Sequence, residues 1–342
     1  MFRWQYIKSN YMYIAIHLMS AVLALSKGLT PFHIILTNPN FPLGGLSAAS
    51  KTDVLDHFKR TEQFLPQVLI PKELPLEQRR QTAKSFIEEV SLPVVAKPDR
   101  GVVGIGVRRI DSLEELYDII EIMPCDYMLQ EFCDYPLEYG IFYCRYPNRE
   151  NGRVVSLTRK HIPTVIGDGQ KTVRELIDLT PDIKYNKTNL LAHAKTLDHV
   201  PAAGERYQVI DQASHTYGCV FRDNNYEITP EMDAWMNAMS SKASEFYFGR
   251  FDMKIRDKDS LRTGKGVKIC ELNGCWSEPA HIYDDDHTLS YAVKEMFRSY
   301  SRAYKIAKLN QKRLNLKVPY KEIMDAYRSY MQEKEKIMEV VG

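Results

Sequence analysis

What the sequence lacks narrows it first. Six cysteines stand among 342 residues, with no CxxC pair and no dense cluster. That spacing excludes a disulfide scaffold and a zinc ribbon and fits a reducing, cytoplasmic setting. Neither sign of charge is in excess: 46 Lys and Arg against 44 Asp and Glu leave +2, which is no electrostatic footprint for a nucleic-acid partner. No run reaches the roughly 20 apolar residues that a bilayer span needs. The most apolar stretch, YMYIAIHLMSAVLAL at 11–25, carries His17 in its middle and reads as a buried helix rather than a membrane element. Arg3 and Lys8 precede it like the basic start of a signal peptide, but no clear small-x-small cleavage site stands out. Internal repeats, low-complexity segments, a Walker A loop and the Rossmann glycine pattern are all missing. With 44% hydrophobic and 26% charged residues, the composition is that of a globular chain, long enough for two or three lobes.

Periodicity and turn residues then predict an alternation of elements. A helix over 10–27, a strand over 32–37 and the turn-rich NPNFPLGGLSAAS open the chain. A short polar helix at 51–60, a strand at 67–70, an amphipathic helix at 76–90 and a buried-type strand at 92–97 follow. After a glycine-rich loop come a strand at 107–110, a helix at 112–122 with Ser112 and Glu115 as a capping box, and a strand at 127–132. The second half reads as paired strands at 137–146 and 154–161, a turn and helix in GDGQKTVRELI, and a long helix over 229–248. FGRFDMKI and VKICELN read as strands paired around DKDSLRTGKG, with closing helices at 288–311 and 319–338. This order predicts an α+β or mixed α/β enzyme.

Three constellations carry chemistry. In VVAKPDRGVVGIGVRRI a strand delivers Lys97 into Gly101, Gly104 and Gly106; backbone N–H groups in such a loop can approach an anion, and the lysine adds a point charge for a phosphate. In YMLQEFCDYPLEYGIF, Gln130 and Glu131 end one strand and Glu138 opens the next, which suits an adenine edge and ribose hydroxyls, or else a solvated crossover. In FGRFDMKI and KICELNG, Glu271 and Asn273 are two apart and share a strand face, with Arg250 and Asp252 able to join them from the paired strand. Oxygen ligands without His or Cys suit Mg²⁺ held partly through phosphates, and Arg250 could neutralise a transferring phosphoryl group.

In this order the three pieces resemble the ATP-grasp superfamily over residues 51–283, and more narrowly D-alanine–D-alanine ligase and the ATP-grasp region of cyanophycin synthetase. "VVAKP…GVVGIGV", "LQEF…PLE" and "GRFDMKI…ELN" carry the first likeness; "GDGQKTVRELI" and "VPAAGERYQV" carry the second. The resemblance implies an α+β ATP-grasp fold, two α/β lobes sandwiching ATP, with residues 1–50 as a reduced N-terminal segment. The lobes would be 51–128 and 129–287, and 288–342 the closing helices. It implies ATP and Mg²⁺ (or Mn²⁺) as cofactors. Lys51 and Lys97 would hold phosphates beside Gly101, Gly104 and Gly106. Gln130, Glu131, Phe132 and Cys133 would line the adenine hinge, and Glu138 would bind ribose. Asp252, Glu271 and Asn273 would hold the metal, with Arg250, Lys97 and Lys160 catalytic. Lys160, with Arg159, could reach the phosphates or a substrate carboxylate.

The implied reaction is carboxylate–amine ligation through an acyl phosphate, on small acids and amines such as amino acids or peptides. A hydroxyl-acceptor phosphotransferase and a non-catalytic ATP binder remain the rival readings. Gly44, Gly45, Ser47 and Ser50 are read either as a carboxylate cradle or as a plain connection. Trp276, Glu278, His281 and Tyr283 fall where the acceptor would sit. The tyrosines of the closing helices serve as core or as the face of a homodimer.

Overall fold

The computed structural model describes residues 9–58, 61–101, 104–181, 183, 187–210 and 213–341, the first five of these and the last by backbone alone; Arg3, Lys8, Val102 and Val103 lie outside the described residues. The chain opens with α1 (Ser9–Ser26), a 3-10 segment at Pro31–Thr37 and α2 (Lys51–Asp56). A first lobe follows: β1 (Gln67–Ile70), α3 (Leu76–Val90), β2 (Val94–Pro98), β3 (Arg108–Ile110), α4 (Leu113–Ile122) and β4 (Tyr127–Glu131). A second lobe begins with β5 (Leu137–Cys144) and β6 (Arg153–His161). Inserted next are β7 (Thr164–Ile166), α5 (Val173–Leu179), α6 (Lys187–His193) and β8 (Arg206–Gln208). The lobe resumes with β9 (Val220–Asp223), α7 (Pro230–Ser240), β10 (Phe248–Ile255), α8 (Lys258–Thr263) and β11 (Val267–Asn273), and α9 (Leu289–Leu314) and α10 (Tyr320–Val341) close the chain. The α+β class expected from the sequence is what the structure holds.

Two antiparallel sheets carry the fold, one in the order β1-β4-β2-β3 and one in the order β11-β10-β5-β6-β9. In the first, Val94 and Ala96 of β2 and Leu129 of β4 pack against Ala83 and Phe86 of α3 and Leu116, Ile119 and Ile120 of α4. Strand alternation therefore turns Lys97 and Gln130 to the opposite face. In the second sheet, Tyr139, Ile141, Tyr143, Phe251, Met253 and Ile255 pack with the α7 methionines Met232, Met236 and Met239. The other face changes character along its length. Phe142, Cys144 and Phe248 lie under α9 in a core shared with α1; beyond that cover the same rows continue as Gly140 and Glu138, and as Arg250, Asp252 and Lys254.

Several sequence expectations shift. Residues 32–37 are a buried 3-10 turn rather than a strand. Pro31 starts the turn, and Asn310 of α9 donates its amide to the carbonyls of Leu36 (2.9 Å) and Thr37 (3.4 Å), so no sheet partner is needed. The helix expected over 229–248 ends at Ser240. Ser112 caps α4, but the Glu115 carboxylate bonds the Asp111 amide instead of closing the box. The loop between β10 and β11 holds α8. Among the closing-helix tyrosines, Tyr300, Tyr304 and Tyr330 are core while Tyr320 and Tyr327 are exposed.

The apolar run at 11–25 forms a half-covered helix, with Ile16, Leu23 and Ala24 inside and Ile14, Leu18, Val22 and Leu25 outside. No described helix is by itself long and apolar enough to cross a membrane; Ile14–Ser26 and Pro31–Thr37 meet the length and composition only as a pair bent by 81°.

Asn38 fastens the N-terminal loop to the second sheet. Its amide nitrogen donates to Gly44 O (3.1 Å) and Phe248 O (2.7 Å), and its oxygen accepts from Tyr247 N (2.9 Å) and Phe248 N (3.0 Å). Nothing of Asn38 is exposed, so removing its side chain strands buried backbone groups. Asn38→Ala should lower the unfolding free energy by about 2–4 kcal/mol, read as a lower urea midpoint at unchanged m-value.

Candidate active site at the junction of the two sheets

The charged end of the second sheet forms one connected strip. Strand pairing sets Asp252 opposite Glu271 and Arg250 opposite Asn273, and sets Glu138 between Lys254 and Lys160. Arg250 donates to both Asp252 oxygens, from Nε at 3.0 Å and Nη2 at 3.3 Å. Lys160 Nζ lies 3.2 Å from Asp252 Oδ1 and 3.3 Å from Glu138 Oε1. Lys254 Nζ holds the other Glu138 oxygen at 3.1 Å. Asn273 Nδ2 donates to Asp252 Oδ2 (3.1 Å) and Glu271 Oε2 (3.5 Å). Gly140 leaves the room for this: a Cβ there would lie 3.2 Å from Arg250 Cδ and 3.4 Å from Asp252 Oδ1.

Charge coupling inside the strip fixes its ionisation. Burial would raise the Asp252 pKa, but Arg250 and Lys160 overcome it and hold the carboxyl below its ordinary value. Burial likewise works against the Lys160 ammonium, and Asp252 and Glu138 outweigh it, so its pKa ends above that of an ordinary lysine. Arg250 follows the same pattern, burial opposed by Asp252.

The first sheet supplies two cations of another kind. Lys97 Nζ donates to Gln130 Oε1 (3.0 Å) and to Cys270 O on β11 (3.0 Å), which joins the lobes. The pairing register of β10 with β11 slips between Asp252 and Met253, skipping Cys270. This bulge frees the Cys270 carbonyl for the lysine. Lys51, the first residue of α2, donates to Gly101 O (2.9 Å) and Pro98 O (3.3 Å). Asp99 holds that helix start, taking the Thr52 amide at 2.9 Å and its hydroxyl at 2.7 Å on Oδ1. Burial pushes both ammonium groups below the ordinary lysine pKa; the nearby Glu271 carboxylate offsets only part of it, and Lys97 adds to the depression at Lys51.

The remaining expected residues fall around this junction. Glu131 ends β4, Phe132 lies under the Arg109 guanidinium (4.5 Å), and Cys133 is partly exposed. Gly101 accepts from Lys51, Gly104 O accepts from Val107 N (3.2 Å), and Gly106 sits against Pro98. Arg159 stacks on Tyr139 (4.8 Å), on the face away from Lys160. The Gly44 and Gly45 carbonyls accept from Cys275 N (3.0 Å) and Gly274 N (2.9 Å), which makes the glycine loop a backbone lock on the end of β11. A Cβ on Gly44 would fall 2.8 Å from Ile35 Cα.

Beyond β11, Arg250 Nη1 donates to Glu278 O (3.1 Å), and Tyr283 donates its hydroxyl to the Glu278 carboxylate. Burial raises the Glu278 pKa, the Tyr283 bond and Arg250 offsetting it in part. His281 is buried and its Nδ1 lies 2.7 Å from Ser156 Oγ. Lys254, Gly140, Asp99 and the Cys270 carbonyl were missed in the sequence. Lys254 was legible as the third member of the alternating Arg250-x-Asp252-x-Lys254 row; a carbonyl freed by a bulge leaves no sequence signal.

The donor set suits a hard divalent cation. Among the described residues no three His, Cys, Asp or Glu side chains cluster, but Mg²⁺ needs only one or two protein carboxylates when phosphates supply the rest. Asp252 and Glu271, opposite each other on paired strands, could serve as that pair, and a half-turn of the Asn273 amide would add a third oxygen.

No family model and no curated protein matches the sequence. Solved structures resemble it in shape. A bifunctional glutathione synthetase from Pasteurella multocida shares 16% identity over 69% of this chain and 34% of its own, at a TM-score of 0.34. A D-alanine–D-alanine ligase from Bacillus anthracis shares 12% over 74% and 63%, at 0.38. A carboxyaminoimidazole ribonucleotide synthase from Aspergillus clavatus, complexed with ATP, shares 8% over 76% and 54%, at 0.42. The chain thus spans between a third and just under two thirds of the length of these structures.

The depressed Lys97 pKa makes a stability prediction. The folded protein releases that proton at lower pH than the unfolded chain does, so this lysine's burden on folding eases as pH rises toward the unfolded value. Lys97→Met should be as stable as the parent or more so at pH 7, and the difference should shrink through pH 8, 9 and 10 in urea unfolding.

Proposed function

We propose that the chain is an ATP- and Mg²⁺-dependent carboxylate–amine ligase that works through an acyl phosphate. One observation carries the reading. Lys51 and Lys97 present desolvated ammonium groups whose hydrogen bonds, among the described residues, go only to neutral oxygens. They lie within electrostatic reach of Glu271, and Lys97 of Asp252 as well. Desolvated cations of that kind call for an anion, and a carboxylate pair beside them calls for a cation. A metal–polyphosphate satisfies both.

Lys51 and Lys97 would bind the phosphates beside Gly101, Gly104 and Gly106. Gln130, whose Nε2 is buried without a partner, would read the adenine edge, with Glu131, Phe132 and Cys133 around it. Glu138 holds a lysine on each oxygen and keeps lone pairs for ribose hydroxyls. Asp252, Glu271 and Asn273 would hold Mg²⁺, which when bound supplies charge neutralisation on the phosphate oxygens. A substrate carboxylate oxygen attacks the γ-phosphorus as the bond to the ADP oxygen breaks. An amine then attacks the acyl carbon; the C–N bond forms, phosphate leaves and the amine loses its proton. Arg250 and Lys160 stay charged throughout, held so by Asp252 and Glu138, and would neutralise the oxygens that gain charge. The reaction requires no side-chain nucleophile, and small acids and amines, amino acids or peptides among them, would be its substrates.

The test is ADP release from Mg-ATP against amino acids and dipeptides, singly and in pairs. Turnover should need one acid with one amine, and Glu271→Gln should lower kcat by about a hundredfold or more, the cost of losing charge stabilisation worth several kcal/mol. Phosphate retained on a hydroxyl acceptor, or ATP bound with no turnover on any pair, would overturn the ligase reading.

A further inference from the structure

The final helix is packed into two separate cores. At its start, Tyr320 stacks edge-on against Phe32 (5.6 Å) and its hydroxyl lies 3.0 Å from Thr30 Oγ1, while Ile323 is buried in the core built by α1 and α9. At its far end, Ile337 is buried in the core of the first lobe. A helix of 22 residues is about 33 Å long at 1.5 Å per residue, so α10 ties the α1–α9 layer to the phosphate-facing lobe.

Its contacts in that lobe converge on the glycine-rich segment. Glu333 Oε1 lies 3.5 Å from Arg100 Nη1 and accepts the Ser329 hydroxyl at 3.2 Å. Ile337 packs on Gly106, where an added Cβ would come within 3.1 Å of Ile337 Cγ2. Gly106 has φ +75, a conformation that glycine adopts without strain. Arg100 and Gly106 flank the segment, and Arg100 directly precedes Gly101, whose carbonyl accepts from Lys51 Nζ at 2.9 Å.

We infer that Glu333 and Ile337 of α10 are positioning residues for the phosphate site, holding the two shoulders of the glycine segment and through Gly101 the ammonium of Lys51. The inference rests on the reading of this segment and Lys51 as the phosphate site. Neither side chain would touch the nucleotide. An Arg100–Glu333 pair that is partly exposed contributes little to stability on its own, which leaves geometry as its main effect.

The distinguishing readout is the ratio of ATP to AMP affinity, measured by calorimetry on the full chain with Mg²⁺. AMP carries the adenosine and one phosphate, so it tests the hinge but not the outer phosphate contacts. Ile337→Ala and Glu333→Gln should each weaken ATP about five- to tenfold, the scale of one misplaced charge-assisted hydrogen bond, with AMP unchanged. The charge exchange Arg100→Glu with Glu333→Arg should recover most of the loss seen in Arg100→Glu or Glu333→Arg alone. Equal losses for ATP and AMP would mean that α10 merely stabilises the lobe, and unchanged affinities would mean that it does not act on the site; either overturns the inference. Wild-type protein that binds neither nucleotide would overturn the phosphate-site reading beneath it.

Discussion

Two lysine ammonium groups desolvated against carbonyl oxygens set the terms for the rest of this structure. Each is costly to keep charged, and the fold around them keeps the cost bearable without cancelling it. Lys97 reaches across the lobes to a carbonyl that exists as a free acceptor only because β11 bulges at Cys270. Lys51 stands at a helix start fixed by Asp99. Had either lysine been given a carboxylate within hydrogen-bonding distance, its charge would be spent. The contrast is Lys160, which has two carboxylates and a raised pKa. One junction therefore holds two populations of cation, one satisfied and one waiting.

The satisfied population depends on the row pattern of the second sheet. Along β10, one face runs from Phe248 under α9 to Arg250, Asp252 and Lys254 beyond that cover. A strand that is apolar at one end and charged at the other on the same face needs a cover that stops partway, and α9 is that cover. The N-terminal segment completes it from below, through Asn38 and the glycine lock on Gly274 and Cys275. The short stretch before α2 is thus part of the support for β10 and β11.

Local signals carried most of this into the sequence. Strand rows with charges two apart gave Arg250, Asp252, Glu271 and Asn273, and the lysine before the glycine segment gave Lys97; the structure brings all of these to one junction. The α+β class and most element positions were legible for the same reason, since period and capping residues act within a few positions. What could not be read depends on distant chain. Residues 32–37 have the composition of a strand, and Asn310, some 270 positions away, takes the Leu36 and Thr37 carbonyls without a sheet. The role of Gly44 and Gly45 was undecidable until Gly274 met them. The Cys270 carbonyl is a backbone acceptor exposed by a register slip, and no side chain announces it.

The shared core of α1, the 3-10 turn and α9 also bears on how the chain is born. Ser20 meets Tyr304 across a separation of 284 residues. Emerging from a ribosome at about 5–20 residues per second, the N-terminal apolar helix waits roughly 14 to 57 seconds before the Tyr304 region of α9 follows it out. During that interval its Ile16, Leu23 and Ala24 face has the adjoining 3-10 turn but lacks α9. That helix is therefore made well before one of its main partners, and part of its apolar face stays uncovered until α9 emerges.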